Sequence, residues 1–165
     1  MTTFRRSGDV CVARFSAEEA QVLRQCAAEL AALLSDNPDP DDPAIERLFP
    51  DVYPEDPAAA AEFRRFTESD LKAAKLDQAR SVLSDLLETG GEVRLDDGDA
   101  DVWLRTLTDV RLALGTRLGI EDDTDIEAEL DAAVGRDPTS PRVGQLSVYA
   151  FLNYLQESLV DALVH

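Results

Sequence analysis

The stretch DVWLRTLTDVRLALGTRL, residues 101–118, decides the fold. Leu104, Leu107, Leu114 and Leu118 recur at three- and four-residue intervals, which winds them onto one stripe of an α-helix facing a core. Arg111 stands in the middle of that stripe, one turn from Leu107 and one turn from Leu114. A guanidinium does not deprotonate in a protein, so an inward Arg111 needs a carboxylate or a set of carbonyls around it. Two readings stay open. In the first, Arg111 is a buried pair that fixes helix register, with Glu157, Asp109 or Glu62 as carboxylate and Gln156 capping the spare donors. In the second, it lines a pocket that receives a ligand carboxylate or phosphate.

The boundaries of this helix are written on either side of it. Asp96 has the chemistry of an N-cap, and Gly119 that of a left-handed stop. Gly115 costs the helix about 1 kcal/mol against alanine, a cost explained by close approach of a second helix or of a ligand. Upstream, EVRL (residues 92–95) alternates between glycine and aspartate pairs and reads as a short strand. Residues 4–15 read as a hairpin turning at Ser7-Gly8-Asp9, and the two features together give a three-stranded sheet.

Further helices follow from caps and breakers. Ser16 with Glu19 forms a capping box, after which Leu23, Ala27, Leu30 and Leu34 run at helical spacing to about Ser35. DNPDPDDP then ends any regular element, and Asp42-Pro43 opens a short helix through Leu48. Phe49 and Tyr53 lie in an extended, proline-bounded connector. Asp56-Pro57 begins an alanine-rich helix to Phe66; Thr67 with Asp70 predicts a break there, and a second helix runs over about residues 68–88, closed by Gly90. Residues 121–142 are strongly acidic and read as a mobile loop, with at most a weak surface helix at 126–134. The last helix spans about residues 145–163, with Val148, Leu152, Leu155, Leu159 and Leu163 on one side. The fold class is mainly α: a single-domain bundle of about five helices, residues 1–165, with a small antiparallel sheet.

Composition narrows the function classes. A chain of 165 residues buries roughly 70% of its unfolded surface, so no disulfide staple is required. Net charge is −18, from 34 acidic against 16 basic residues, and such a field repels nucleic-acid and anionic-membrane surfaces. No run approaches the ~18 apolar residues of a membrane span, and no apolar segment follows Arg5 and Arg6 as an export signal requires. A cytoplasmic location is expected. Cys11 and Cys26 lie outside any metal or redox spacing and read as buried free thiols.

Chemistry-bearing patterns are sparse. The single histidine is His165, the final residue, which removes His-based triads and most zinc sites. Asp97, Asp99 and Asp101 open like a calcium loop, but Val102 replaces the turn glycine and Thr108 the bidentate glutamate. No phosphate-loop glycine pattern occurs. No cofactor is expected and no catalytic residue stands out. Candidate contact residues for a ligand or partner are Arg111, Gln156, Trp103, Phe49 and Tyr53, together with Arg64 and Arg65 in the one basic concentration, which continues through Lys72 and Lys75. For Trp103, Phe49 and Tyr53 the competing explanation is core packing; for the basic group it is i,i+4 pairing with Glu62, Glu68 and Asp70.

Three segments carry a resemblance: RLFPDVYPEDPAAAAEFRRFTESDLKAAKL (residues 47–76), WLRTLTDVRLALGTRLGI (103–120) and VYAFLNYLQESLV (148–160). In that order, and with VARFSAEEA ahead of them, they resemble the actinobacterial domain of unknown function 2017 family. The resemblance implies a small cytoplasmic protein with no assigned activity, from a family often encoded beside an adaptor of the Clp protease. It carries no catalytic residues over. The expectation is a non-enzymatic interaction or regulatory module, linked to Clp-type protein turnover, with an unidentified protein partner of basic character. Homodimerisation through the last helix is a further expectation, because Tyr149, Phe151, Leu152, Tyr154 and Leu155 spread apolar surface around it. The alternative is a small-molecule or anion-binding domain, or a carboxylate-based enzyme, using Arg111.

Overall fold

The computed structural model describes residues 2–35, 42–49 and 55–164, the side chains of 64–66 excepted. Its elements are β1 (Arg5–Ser7), β2 (Val10–Phe15), α1 (Ala17–Ser35), α2 (Pro43–Leu48), α3 (Pro57–Asp85), β3 (Gly91–Leu95), α4 (Asp97–Leu118), α5 (Ile126–Arg136) and α6 (Pro141–Val164). The architecture is mainly α with a small antiparallel sheet of order β1-β2-β3, in which Arg6 faces Cys11 and Ala13 faces Val93. The third strand comes from far along the chain and pairs with β2, placing β2 at the centre.

One apolar cluster joins the sheet to α1, α3, α4 and α6. Phe4, Phe15 and Trp103 meet at its sheet end, with Phe4 edge-on to both other rings and Phe15 stacked on Trp103 at 6.1 Å. Trp103 is fully buried, and its indole N–H donates to Asp85 at 2.9 Å, so the ring gains apolar burial without an orphaned donor. The leucine stripes are inside as the periodicity requires: Leu23, Leu30 and Leu34 from α1, Leu107 from α4, and Leu152, Leu155 and Leu159 from α6.

Local signals explain the boundaries. The Ser16 amide donates to Glu19 at 2.9 Å and the Glu19 amide to the Ser16 hydroxyl at 3.1 Å, a closed capping box. Burial alone would push the Glu19 carboxyl up, but hydrogen bonds from Ser16 and Thr2 outweigh it and hold the group below its ordinary value. Asp96 caps α4 through the Asp99 amide, and Gly119, in the left-handed region at φ 73°, ends it.

Four expectations change. The helix break at Thr67 does not occur: α3 is continuous over 29 residues, about 43 Å. The Thr67 hydroxyl donates to the Phe63 carbonyl one turn back at 2.9 Å, so the residue serves the helix it was expected to interrupt. That helix also ends earlier, at Asp85, and Arg24 of α1 donates to the carbonyls of Leu83 and Leu86 in its last turn. The third change is in residues 121–142. The surface helix allowed at 126–134 forms there as α5, capped by Asp125 onto the Ala128 amide, in place of a loop throughout. Ala133 of α5 joins Leu118 and Leu146 in a second, smaller apolar cluster. Arg142 secures this corner, donating to the Leu118 carbonyl at 3.1 Å and to Glu129 at 3.4 Å. The fourth change is the start of the final helix, at Pro141 and not near 145, where proline, lacking an N–H, suits a first helical turn.

Candidate functional site

A polar concavity lies where α4 and α6 cross beside α2 and the segment leading into α5. It is a cavity of ≈ 230 Å³, and Arg111 lines it with Arg47, Gly115, Tyr149 and Asn153. Gly115 lets the Tyr149 ring of α6 lie close against α4. A Cβ built there would lie 3.2 Å from the Tyr149 ring, tighter than an ordinary contact, so close helix–helix approach accounts for the glycine inside α4. Tyr149, Asn153 and Gln156 fall at i, i+4 and i+7 on α6 and thus share its inward face.

Arg111 is half-buried there, and no described carboxylate pairs with it. Its Nη1 donates to the Gln156 Oε1, and its guanidinium carbon stands 5.8 Å from the centroid of the Tyr149 ring. Gln156 in turn donates through Nε2 to the Thr108 hydroxyl at 2.8 Å, and that hydroxyl donates to the Leu104 carbonyl at 2.8 Å. The expected cap by Gln156 is therefore present, while the expected carboxylate partner is not. For Asp109 the reason is angular. Asp109 precedes Arg111 by two residues, so it projects from nearly the opposite side of α4.

There Asp109 meets Lys75 of α3, with Nζ at 2.8 and 3.0 Å from its two oxygens. Asp109 is buried. Burial pushes its carboxyl up; Lys75, and more weakly Arg105, pull it back, and a net upward shift remains. Lys75 thus bridges two helices instead of pairing along its own.

Other proposed contact residues separate. Trp103 and Phe49 are buried, 0% and 7% exposed, so neither is a surface anchor in the folded chain: both pack into the core. Tyr53 lies outside the described residues, as do the side chains of Arg64 and Arg65. On α6, Leu152 and Leu155 are wholly internal, leaving Tyr154, Val160 and Val164 as its exposed large apolar groups. Cys11 is buried, and burial pushes the Cys26 thiol up to about 11. A thiol so placed carries little thiolate at neutral pH and is a poor nucleophile.

Sequence reasoning passed over Asn153, Arg47 and the Lys75–Asp109 bridge. A signal existed for the first: Asn153 lies one turn from both Tyr149 and Gln156, in one polar row along α6. The bridge joins residues 34 positions apart, and nothing local announces it.

No helix among the described residues is long and apolar enough to cross a membrane. The model of one family, described as a domain of unknown function (DUF2017), matches residues 1–163. Among relatives, the chain is 34% identical over 139 residues to the putative oxidative stress regulator AosR of Mycobacterium leprae, covering 76% of this chain and 60% of that protein. It is 32% identical over 139 residues to the oxidative stress regulator AosR of Mycobacterium tuberculosis strain H37Rv, with the same coverage, and to that of Mycobacterium bovis. The chain therefore spans about three fifths of the length of these relatives. No solved structure matches it.

Proposed function

The chain belongs to the DUF2017 family, and from that membership we propose that it is a cytoplasmic regulatory module of the oxidative-stress response that acts by binding another protein. The observation that carries the reading is its similarity, at 32–34% identity, to actinobacterial proteins named as oxidative stress regulators. The net charge of −18 supports a basic partner, because a strong single-sign field raises encounter rates with the opposite sign. The thiols support contact over sulfur chemistry as the means of regulation: Cys11 is sealed in the core and Cys26 is held protonated by burial. A place beside Clp-type protein turnover is the finer form of the proposal. Self-association through α6 is compatible with it, and would use Tyr154, Val160 and Val164.

The test is genetic and physical together. Deleting the gene in its own host, and restoring it on a plasmid, is expected to change peroxide survival and the peroxide-induced transcript profile in a complementable way. The purified chain should capture one basic protein from that host, with capture weakening as salt screens the acidic surface. Unchanged survival and transcripts in the deletion strain would overturn the reading.

A further inference from the structure

The cavity at the α4–α6 crossing is lined by both charge signs and by two residues, Arg111 and Asn153, that each carry a buried polar atom without a partner among the described residues and that also border a neighbouring concavity with Gln156 and Glu157; from these we infer that it is a binding site for a small amino carboxylate, a zwitterion of free amino-acid type. Arg111 donates through Nη1 to Gln156, but among the described residues its Nε, also buried, has no hydrogen-bond partner. Nε and Nη2 form the edge of a guanidinium that grips a carboxylate with two parallel bonds. Asn153 on the facing helix has a buried Oδ1 that likewise lacks a partner among the described residues. One orphan is a donor and the other an acceptor. Native proteins leave few such groups, because each costs the desolvation it never recovers.

A ligand that engages both side chains must bring an acceptor and a donor. A carboxylate beside an ammonium does so. The ionisable lining agrees: Arg47 and Arg111 are matched by Glu121 and Asp122, so the cavity is formally neutral inside a chain of net charge −18. A multiply charged anion such as phosphate would be repelled by that wider field, whereas a zwitterion is not. At ≈ 230 Å³ the space lies below the roughly 300–1,000 Å³ of drug-sized pockets, which fits a metabolite of amino-acid size. The Tyr149 ring, already under the guanidinium, forms an apolar wall. The site does not rest on the regulatory reading, since its occupancy is measured without a partner or a stress.

The experiment is an amide NMR titration of the whole chain with L-serine and L-glutamine, with propionate and ethylamine as half-ligands. Saturable shifts are expected around Arg111, Gly115 and Asn153 with at least one amino acid, and much weaker ones with either half-ligand. Arg111→Lys keeps the charge but loses the fork, and should weaken binding about tenfold or more. Arg47 is exposed, so Arg47→Ala should weaken binding without altering the melting temperature, and it reports on the site even where Arg111→Lys fails to fold. No saturable shift with either amino acid would overturn the inference. So would equal binding of propionate, or affinities unmoved in a folded Arg111→Lys together with Arg47→Ala.

Discussion

At the scale of single residues, Lys75 and Asp109 form the one described ion pair in which both side chains are largely shielded, 17% and 6% exposed. Removing the lysine strands a buried carboxylate, and such losses run to about 3–5 kcal/mol. Lys75→Met should therefore lower stability at neutral pH by an amount near the bottom of that range, since the ammonium is partly wet. Its pH dependence has a definite sign. The Asp109 carboxyl is held above its ordinary value of 3.8 by burial, and loss of Lys75 raises it further. A carboxyl raised in the folded state favours folding in its protonated form. That contribution is complete below 3.8 and is lost as pH rises through the folded value. Urea unfolding of Lys75→Met across pH should thus show a deficit that shrinks as pH falls; a deficit constant with pH would contradict the assignment. Neither partner was readable from sequence. Lys75 has near acidic neighbours at 68 and 70, and its choice of Asp109 depends on how α3 lies against α4. Arg111 shows the same limit: its place on the leucine stripe was legible, and its neutral partner Gln156 was half-legible, but the lack of a carboxylate was set by helix geometry.

At the scale of elements, capping chemistry was the most readable part of the chain. Ser16 with Glu19, Asp42-Pro43, Asp56-Pro57, Asp96 and Gly119 all sit at helix ends where their side chains or left-handed backbone are needed. Thr67 shows why the same alphabet misleads, because a threonine hydroxyl satisfies a carbonyl one turn back as readily as it caps an amide. Gly90 was read as a helix stop and serves instead as a spacer at the mouth of β3. Its backbone is left-handed at φ +79°, and an added Cβ would fall 2.5 Å from the Phe15 carbonyl oxygen and 2.8 Å from the Ala17 nitrogen. Both atoms are backbone, at the junction of β2 with α1, and cannot swing away. Gly90→Ala should cost at least about 2 kcal/mol. Gly8→Ala is the control: φ is +65° but nothing lies within 4 Å, so only the conformational cost of about 1–2 kcal/mol applies. Thermal melts of the two variants compare them directly, and equal losses would refute the steric account.

At the scale of the whole molecule, period and breakers were enough to give the class: helices from spacing, a hairpin from its turn, a third strand from alternation. What they did not give is the division of the apolar interior into a large cluster and a small one. The small one gathers Leu118, Ala133 and Leu146 around the end of α4, α5 and the start of α6, and Arg142 is the polar tie across it. Its acidic, weakly periodic sequence made the helix at 126–134 read as weak and mobile, because α5 buries only Ala133 fully and so needs little hydrophobic pattern. That meagre attachment has a consequence for time rather than for shape. The amides of α5 should exchange with deuterium through a local opening that leaves the Trp103 cluster closed, and so report a free energy well below that of global unfolding. Arg142→Ala should speed exchange in α5 while leaving the protected amides of β2 and α4 near Trp103 unchanged. The protein would then keep two clocks, a slow one at the aromatic end and a faster one at the corner bordering the arginine-lined cavity.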